Sequence, residues 1–142
     1  MKVSEVMTSG VQTVSPDQSA QEAASFMLSS DAGSIPVTDG DRLIGMITDR
    51  DIAVRGVAKG HGPDTPVREL MTDDIIVVSA DDNVEDAAQK MSSAQVRRLP
   101  VIDSDQRLCG IVSLGDLSRN ADDSSANEAL EGVSQRGGEH RQ

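Results

Sequence analysis

Two stretches of the chain carry side chains that could hold a sugar and its phosphate. Gly45-Met46-Ile47-Thr48-Asp49-Arg50-Asp51 and Gly110-Ile111-Val112-Ser113-Leu114-Gly115-Asp116 share a glycine, two aliphatics, a hydroxyl, two free positions and an aspartate. That spacing is the one of a capping box, in which hydroxyl and carboxylate satisfy free amides at a helix start. The same groups permit a second chemistry. A hydroxyl with free amides at a helix N-terminus can hold a phosphate, and an aspartate beside them can accept hydrogen bonds from a ribose diol. A single copy leaves both readings open; two copies, each after a strand and a glycine, weigh toward binding.

Paired arginines add a second signal. Gln95-Val96-Arg97-Arg98-Leu99-Pro100 puts two guanidinium groups before an apolar segment, whereas the matching Asp31-Ala32-Gly33-Ser34-Ile35-Pro36 has none. Their fork geometry suits a phosphate. They stand out because the 142-residue chain has 13 basic and 24 acidic residues, a formal charge of -11. A solvated pair bridged to nearby acids is the alternative.

The elements that must position these residues occur twice. Val3-Ser4-Glu5-Val6-Met7-Thr8 returns as Val67-Arg68-Glu69-Leu70-Met71-Thr72, and Pro36-Val37 as Pro100-Val101. After one inserted residue near Gln106, Gly45 matches Gly110 and Asp51 matches Asp116. Each repeat reads β-α-β-β-α, an α/β (α+β) arrangement. Ser15-Pro16-Asp17-Gln18 suggests a capped helix start, followed by Ala20, Ala23, Ala24, Met27 and Leu28 on one apolar face. Its counterpart starts after Ser79 and presents Val84, Ala87, Ala88 and Met91. Proline limits the next strand to an edge or first position. A second strand and a second helix, after Thr48 or Ser113, complete the unit. The expected boundaries are repeat 1 over 1–58, a Gly/Pro linker over 59–66, repeat 2 over 67–119, and a polar tail over 120–142. The tail is expected to be disordered or, at most, a short helix used against a partner.

Composition narrows the function. An acidic surface repels nucleic acid and anionic lipid, and one Phe with no Trp or Tyr offers no stacking platform for bases. No apolar run spans a bilayer and no signal segment is visible, so a cytoplasmic location is expected. Cys109 aligns with Ile44 on a core strand and is expected to be a buried apolar residue. His61 and His140 have no second ligand at useful spacing, so no metal site and no cofactor are expected. Nothing marks a catalytic group.

The ordered motifs, twice over, resemble a tandem pair of cystathionine-β-synthase (CBS) domains across about residues 1–119. The resemblance implies a pseudo-two-fold module with two inter-repeat clefts for AMP, ADP, ATP, NAD or S-adenosylmethionine. It also implies a homodimer that senses a ligand for an unknown regulated protein. Carried over, the first cleft uses Thr48, Arg50 and Asp51 with Val77, Val96, Arg97 and Arg98. The second uses Ser113 and Asp116 with Thr13, Ala32, Gly33 and Ser34. The arginines favour a phosphorylated ligand in the first cleft; the second is expected to be empty, weak or suited to a ligand without phosphate there. A ligand-free dimerisation or scaffolding module is the main alternative. An enzyme acting on a nucleotide is a more distant one.

Overall fold

Alternating apolar strands and small-residue helix faces assemble an α+β fold, which the computed structural model describes over residues 1–120. The elements in chain order are α1 (Ala20–Ser30), β1 (Ser34–Asp39), β2 (Arg42–Thr48) and α2, which opens at Asp49–Asp51. There follow β3 (Val78–Ser79), α3 (Val84–Ala94), β4 (Arg98–Ile102), β5 (Leu108–Ser113) and α4 (Leu114–Asn120). Apart from Asn120, the expected tail lies outside the described residues.

The chain divides into two compact units. A first-repeat unit spans Gln12–Ile75; a second-repeat unit joins Met1–Val11 to the described residues from Ile76 onward. These units are cut differently from the sequence repeats. The leading segment of the first repeat, with Val3 and Val6, is buried in the second-repeat core. The leading segment of the second, with Val67 and Leu70, is buried in the first-repeat core.

In the first-repeat unit β1 and β2 form an antiparallel ladder, and Val14 adds a single parallel bridge to Val37. In the second-repeat unit β3, β4 and β5 form one sheet, β3 parallel and β5 antiparallel to β4. Pro100 lies in the middle strand, yet β3 pairs only with Val101 and Ile102. The ladder with β3 thus begins at the residue after the proline, and its missing N–H costs that ladder no bond.

The starts of α1 and α3 differ from the sequence expectation. Ser15-Pro16-Asp17-Gln18 closes a turn: Gln18 Oε1 accepts from the Ser15 amide at 2.8 Å, and the Gln18 amide donates to the Ser15 carbonyl. The cap of α1 is Ser19, whose Oγ accepts from the Glu22 amide. Likewise α3 is capped by Asn83 with Asp86, four residues beyond Ser79. Linker carbonyls explain the shift in α1: Thr65 and Pro63 accept from the amides of Ala20 and Gln21. Those are donors that a helix start otherwise leaves unsatisfied.

The apolar face of α1 is also narrower than its pattern suggests. Ala20, Ala23 and Met27 are buried, but Ala24 is exposed and Leu28 is 85% exposed. On α3, Val84, Ala87, Ala88 and Met91 are all buried, as the spacing requires.

Candidate functional site

Each unit builds a strand-to-helix junction from its second strand. In the first-repeat unit β2 delivers Thr48 in extended conformation to the start of α2. Thr48 Oγ1 accepts from the Asp51 amide at 3.0 Å, and Asp51 Oδ2 accepts from the Thr48 amide at 3.1 Å. In the second-repeat unit Ser113 Oγ accepts from the Asp116 amide at 3.1 Å, and Asp116 Oδ2 from the Ser113 amide at 2.9 Å. The capping boxes read from sequence are thus formed in both copies. Each uses one carboxylate oxygen and turns the other outward from the box.

The glycine that opens each motif is required by a close approach. A Cβ at Gly45 would stand 2.7 Å from the Thr72 carbonyl oxygen, and one at Gly110 only 2.4 Å from that of Thr8. In both units a Met-Thr segment lies across this strand, exchanging two backbone hydrogen bonds: Thr72 with Met46, and Thr8 with Ile111. The Met-Thr motif and the glycine are therefore one packing device, and it holds the junction strand in place.

The strand-edge residues lie beside the junction of their own unit. Ser34 pairs with Thr48 across the β1–β2 ladder, and the Gly33 carbonyl accepts from the Asp49 amide at 2.9 Å. Arg98 pairs with Ser113 across β4–β5, and the Arg97 carbonyl accepts from the Leu114 amide at 2.8 Å. The first-repeat unit thus brings Gly33 and Ser34 to the Thr48–Asp51 junction and also holds Arg50, Thr13 and Ala32. The second-repeat unit brings Arg97 and Arg98 to the Ser113–Asp116 junction and also holds Val77 and Val96. Arg50 and Arg97 are exposed, Arg98, Val77, Thr13 and Ala32 half-buried, and Val96 is buried in the core.

Charge separates the two junctions. Beside Gly33 sits the Asp49 carboxylate, 3.2 Å from where a Cβ would be, so a negative group covers the edge that lacks arginines. Its counterpart beside Arg97 is Leu114, which is uncharged. Lys90 adds a further cation in the second-repeat unit, its Nζ donating to the Val77 carbonyl at 2.7 Å. It borders an open groove of about 690 Å³ lined also by Ile76, Asp82, Asp86 and Gln89. Asp49 and Lys90 escape a motif search because their relevance comes from spatial neighbours, a glycine without Cβ and a carbonyl thirteen residues away.

The outward carboxylate oxygens also differ. Arg119 Nη2 donates to Asp116 Oδ1 at 2.5 Å, within a carboxylate that is almost fully buried. Near Asp51, Arg55 Nε stays 4.0 Å from Oδ1. Its Nη1 donates instead to the carbonyls of Leu70 and Met71 at 3.3 and 3.0 Å. The helices that carry these groups diverge too: α4 continues as a regular α-helix, while the turn after Asp51 widens into a π-helix over Ile52–Gly56.

Cys109 is half-buried against the core, and burial, then the carboxylates of Asp103 and Asp81, push its thiol pKa up. That disfavours the thiolate and hence a nucleophilic role. Among the described residues no group of three His, Cys, Asp or Glu side chains is placed to hold a metal. Among the same residues, no helix is long and apolar enough to cross a membrane.

With this geometry in view, the CBS domain family matches residues 3–56 and 67–123, nearly all of the chain outside its C-terminal end. The chain belongs to the CBS domain family. It is 46% identical over 133 residues to the CBS domain-containing protein YhcV of Bacillus subtilis, covering 93% of this chain and 94% of that one. The solved structure of CBSX2 in complex with AMP has a TM-score of 0.74 at 30% identity, covering 84% of this chain and 95% of that one. The CBS domain pair of protein MJ0100, solved with 5-methylthioadenosine and S-adenosyl-L-methionine, has a TM-score of 0.72 at 30% identity. That match covers 84% of this chain and 98% of the other.

Proposed function

We propose that this CBS pair is a non-catalytic regulatory module that binds an adenosine-containing ligand, with a phosphorylated ligand of the AMP type preferred. Thr48 and Asp51 serve a ribose, Arg97 and Arg98 a phosphate, and Arg50, Val77 and Val96 are assigned to ligand contact with them. Ser113 and Asp116, and likewise Thr13, Ala32, Gly33 and Ser34, are assigned to weaker binding. Occupancy favours one arrangement of the chain over another and so alters its contacts with a regulated partner, to the extent of the ligand's differential affinity. The module acts as a cytoplasmic homodimer and needs no metal or cofactor of its own.

The observation that carries this reading is the Thr48–Asp51 box. Its carboxylate keeps one oxygen outside the box, and the nearest guanidinium stands off at 4.0 Å. Bound AMP in CBSX2 and bound adenosyl compounds in MJ0100 support the ligand class. The Asp49 carboxylate over Gly33 supports placing phosphate preference with the arginines. A ligand-free scaffold remains the second reading, favoured by the exposed Leu28, Val54 and Val57 of the first-repeat unit.

Thermal melting with AMP, ATP, NAD and S-adenosylmethionine separates the two. A ligand at about 100 times its Kd adds about 2.7 kcal/mol and raises the midpoint by several degrees. No shift with any of the four supports the scaffold. In the Arg97→Ala/Arg98→Ala protein, AMP affinity should fall at least about tenfold, the scale of one or two charge-assisted hydrogen bonds, while adenosine is nearly unaffected. Unchanged AMP affinity would remove the arginines from the site. Because the chain has no Trp or Tyr, a purine carried through purification would be evident in its ultraviolet spectrum.

A further inference from the structure

Asp116 is an acceptor whose second oxygen is already taken from within its own helix. Oδ2 accepts from the Ser113 amide at 2.9 Å; Oδ1 accepts from Arg119 at 2.5 Å. Charge-assisted bonds of that length are among the stronger ones. Two features make the contact specific to this junction. Arg119 lies three residues after Asp116, which puts both on one helix face. In the other repeat the nearby Arg55 is anchored on backbone carbonyls instead.

The two partners differ in exposure. The Asp116 side chain is 6% exposed, but that of Arg119 is 68% exposed. A long guanidinium that is mostly solvated regains water when it leaves, and a ligand hydroxyl that takes its place keeps the buried carboxylate supplied with a donor. Nothing in the contact fixes Arg119 as a wall of the fold.

We propose that Arg119 is a built-in competitor for the Asp116 carboxylate, displaced when a neutral, diol-bearing nucleoside takes its place. Both hydroxyls of a ribose need carboxylate acceptors, and the oxygen facing away from the capping box is the one Arg119 occupies. The guanidinium therefore sets a higher threshold on the Asp116 site than Arg55, at 4.0 Å, sets on the Asp51 site. Salt lowers that threshold in part, since the guanidinium side of the pair is solvated and open to screening, while hydrogen bonds from an uncharged ligand are nearly unaltered. This inference rests on the adenosine-binding reading above.

The test is calorimetric titration of adenosine into the full chain carrying Asp51→Ala, which silences the other carboxylate, with and without Arg119→Ala or Arg119→Lys. Removing Arg119 should tighten adenosine binding at least about fivefold, which is the upper end for a fully exposed ion pair and so a lower bound for this half-exposed one. Arg119→Lys should stay close to the arginine form. Raising salt from about 0.05 to about 0.5 M, a span that shortens the screening length several-fold, should tighten binding with Arg119 present and do nothing with alanine. Equal or weaker adenosine binding by the alanine variant, with no difference in salt response, overturns the competitor role. If the unsubstituted chain binds neither adenosine nor AMP, the adenosine-binding reading itself falls, and this inference with it.

Discussion

The two junctions begin from the same motif and end in different states. Asp51 and Asp116 each return one oxygen to the amide of their own capping hydroxyl. Beyond that box, Arg55 is pinned to the carbonyls of Leu70 and Met71, whereas Arg119 closes onto Asp116. The difference arises one turn further along. After Asp51 the helix widens into a π-turn that leaves Ile52 only half-buried; after Asp116 a regular helix buries its counterpart Leu117 completely. Duplication thus preserved the box while helix geometry set what the carboxylate meets next.

The largest expected effect tests that helix geometry. Leu117→Ala should cost about 3 kcal/mol, within the range for emptying a fully buried leucine site. Ile52→Ala should cost about half as much, because its side chain already meets solvent. Equal losses in denaturant melts would show that the π-turn does not relax packing against the core.

Next comes the strand glycine. Gly110→Ala drives a Cβ to 2.4 Å from backbone oxygen and Gly45→Ala to 2.7 Å. Each should destabilise by about 2 kcal/mol, as overpacking against backbone does, with Gly110→Ala the worse. Gly115→Ala marks the small end of the series: its Cβ has ordinary contact distances. It should stabilise by about 0.5 kcal/mol through helix propensity. A loss at Gly115 comparable to that at Gly110 would mean that Arg119 packs there more tightly than its contacts indicate.

How far the sequence reaches is clear from particular residues. Both capping boxes were legible because hydroxyl, carboxylate and amides lie within three residues of one another. The α3 core face was legible too, since Val84, Ala87, Ala88 and Met91 follow helical spacing and are buried. Leu28 has the same spacing and is exposed, because periodicity gives a face but not how much of it the neighbours cover. The start of α1 was displaced from Ser15 to Ser19 by acceptors on Pro63 and Thr65, more than forty residues away. The exchange of leading segments between units is equally non-local: Val3 joins a core made mainly of residues after Val78. Arg119 could have been read, for an arginine three residues after a capping aspartate is a recognisable local pair. What remained hidden was which of two nearby arginines would take that place.

The most direct single measurement is the affinity of AMP for the intact chain and for Asp51→Ala, by calorimetry at matched salt. If the Thr48–Asp51 box holds the ribose, the substitution raises the Kd at least about tenfold, the loss of one charge-assisted hydrogen bond in a partly buried site. An AMP affinity that is the same in both proteins would place the nucleotide elsewhere or nowhere.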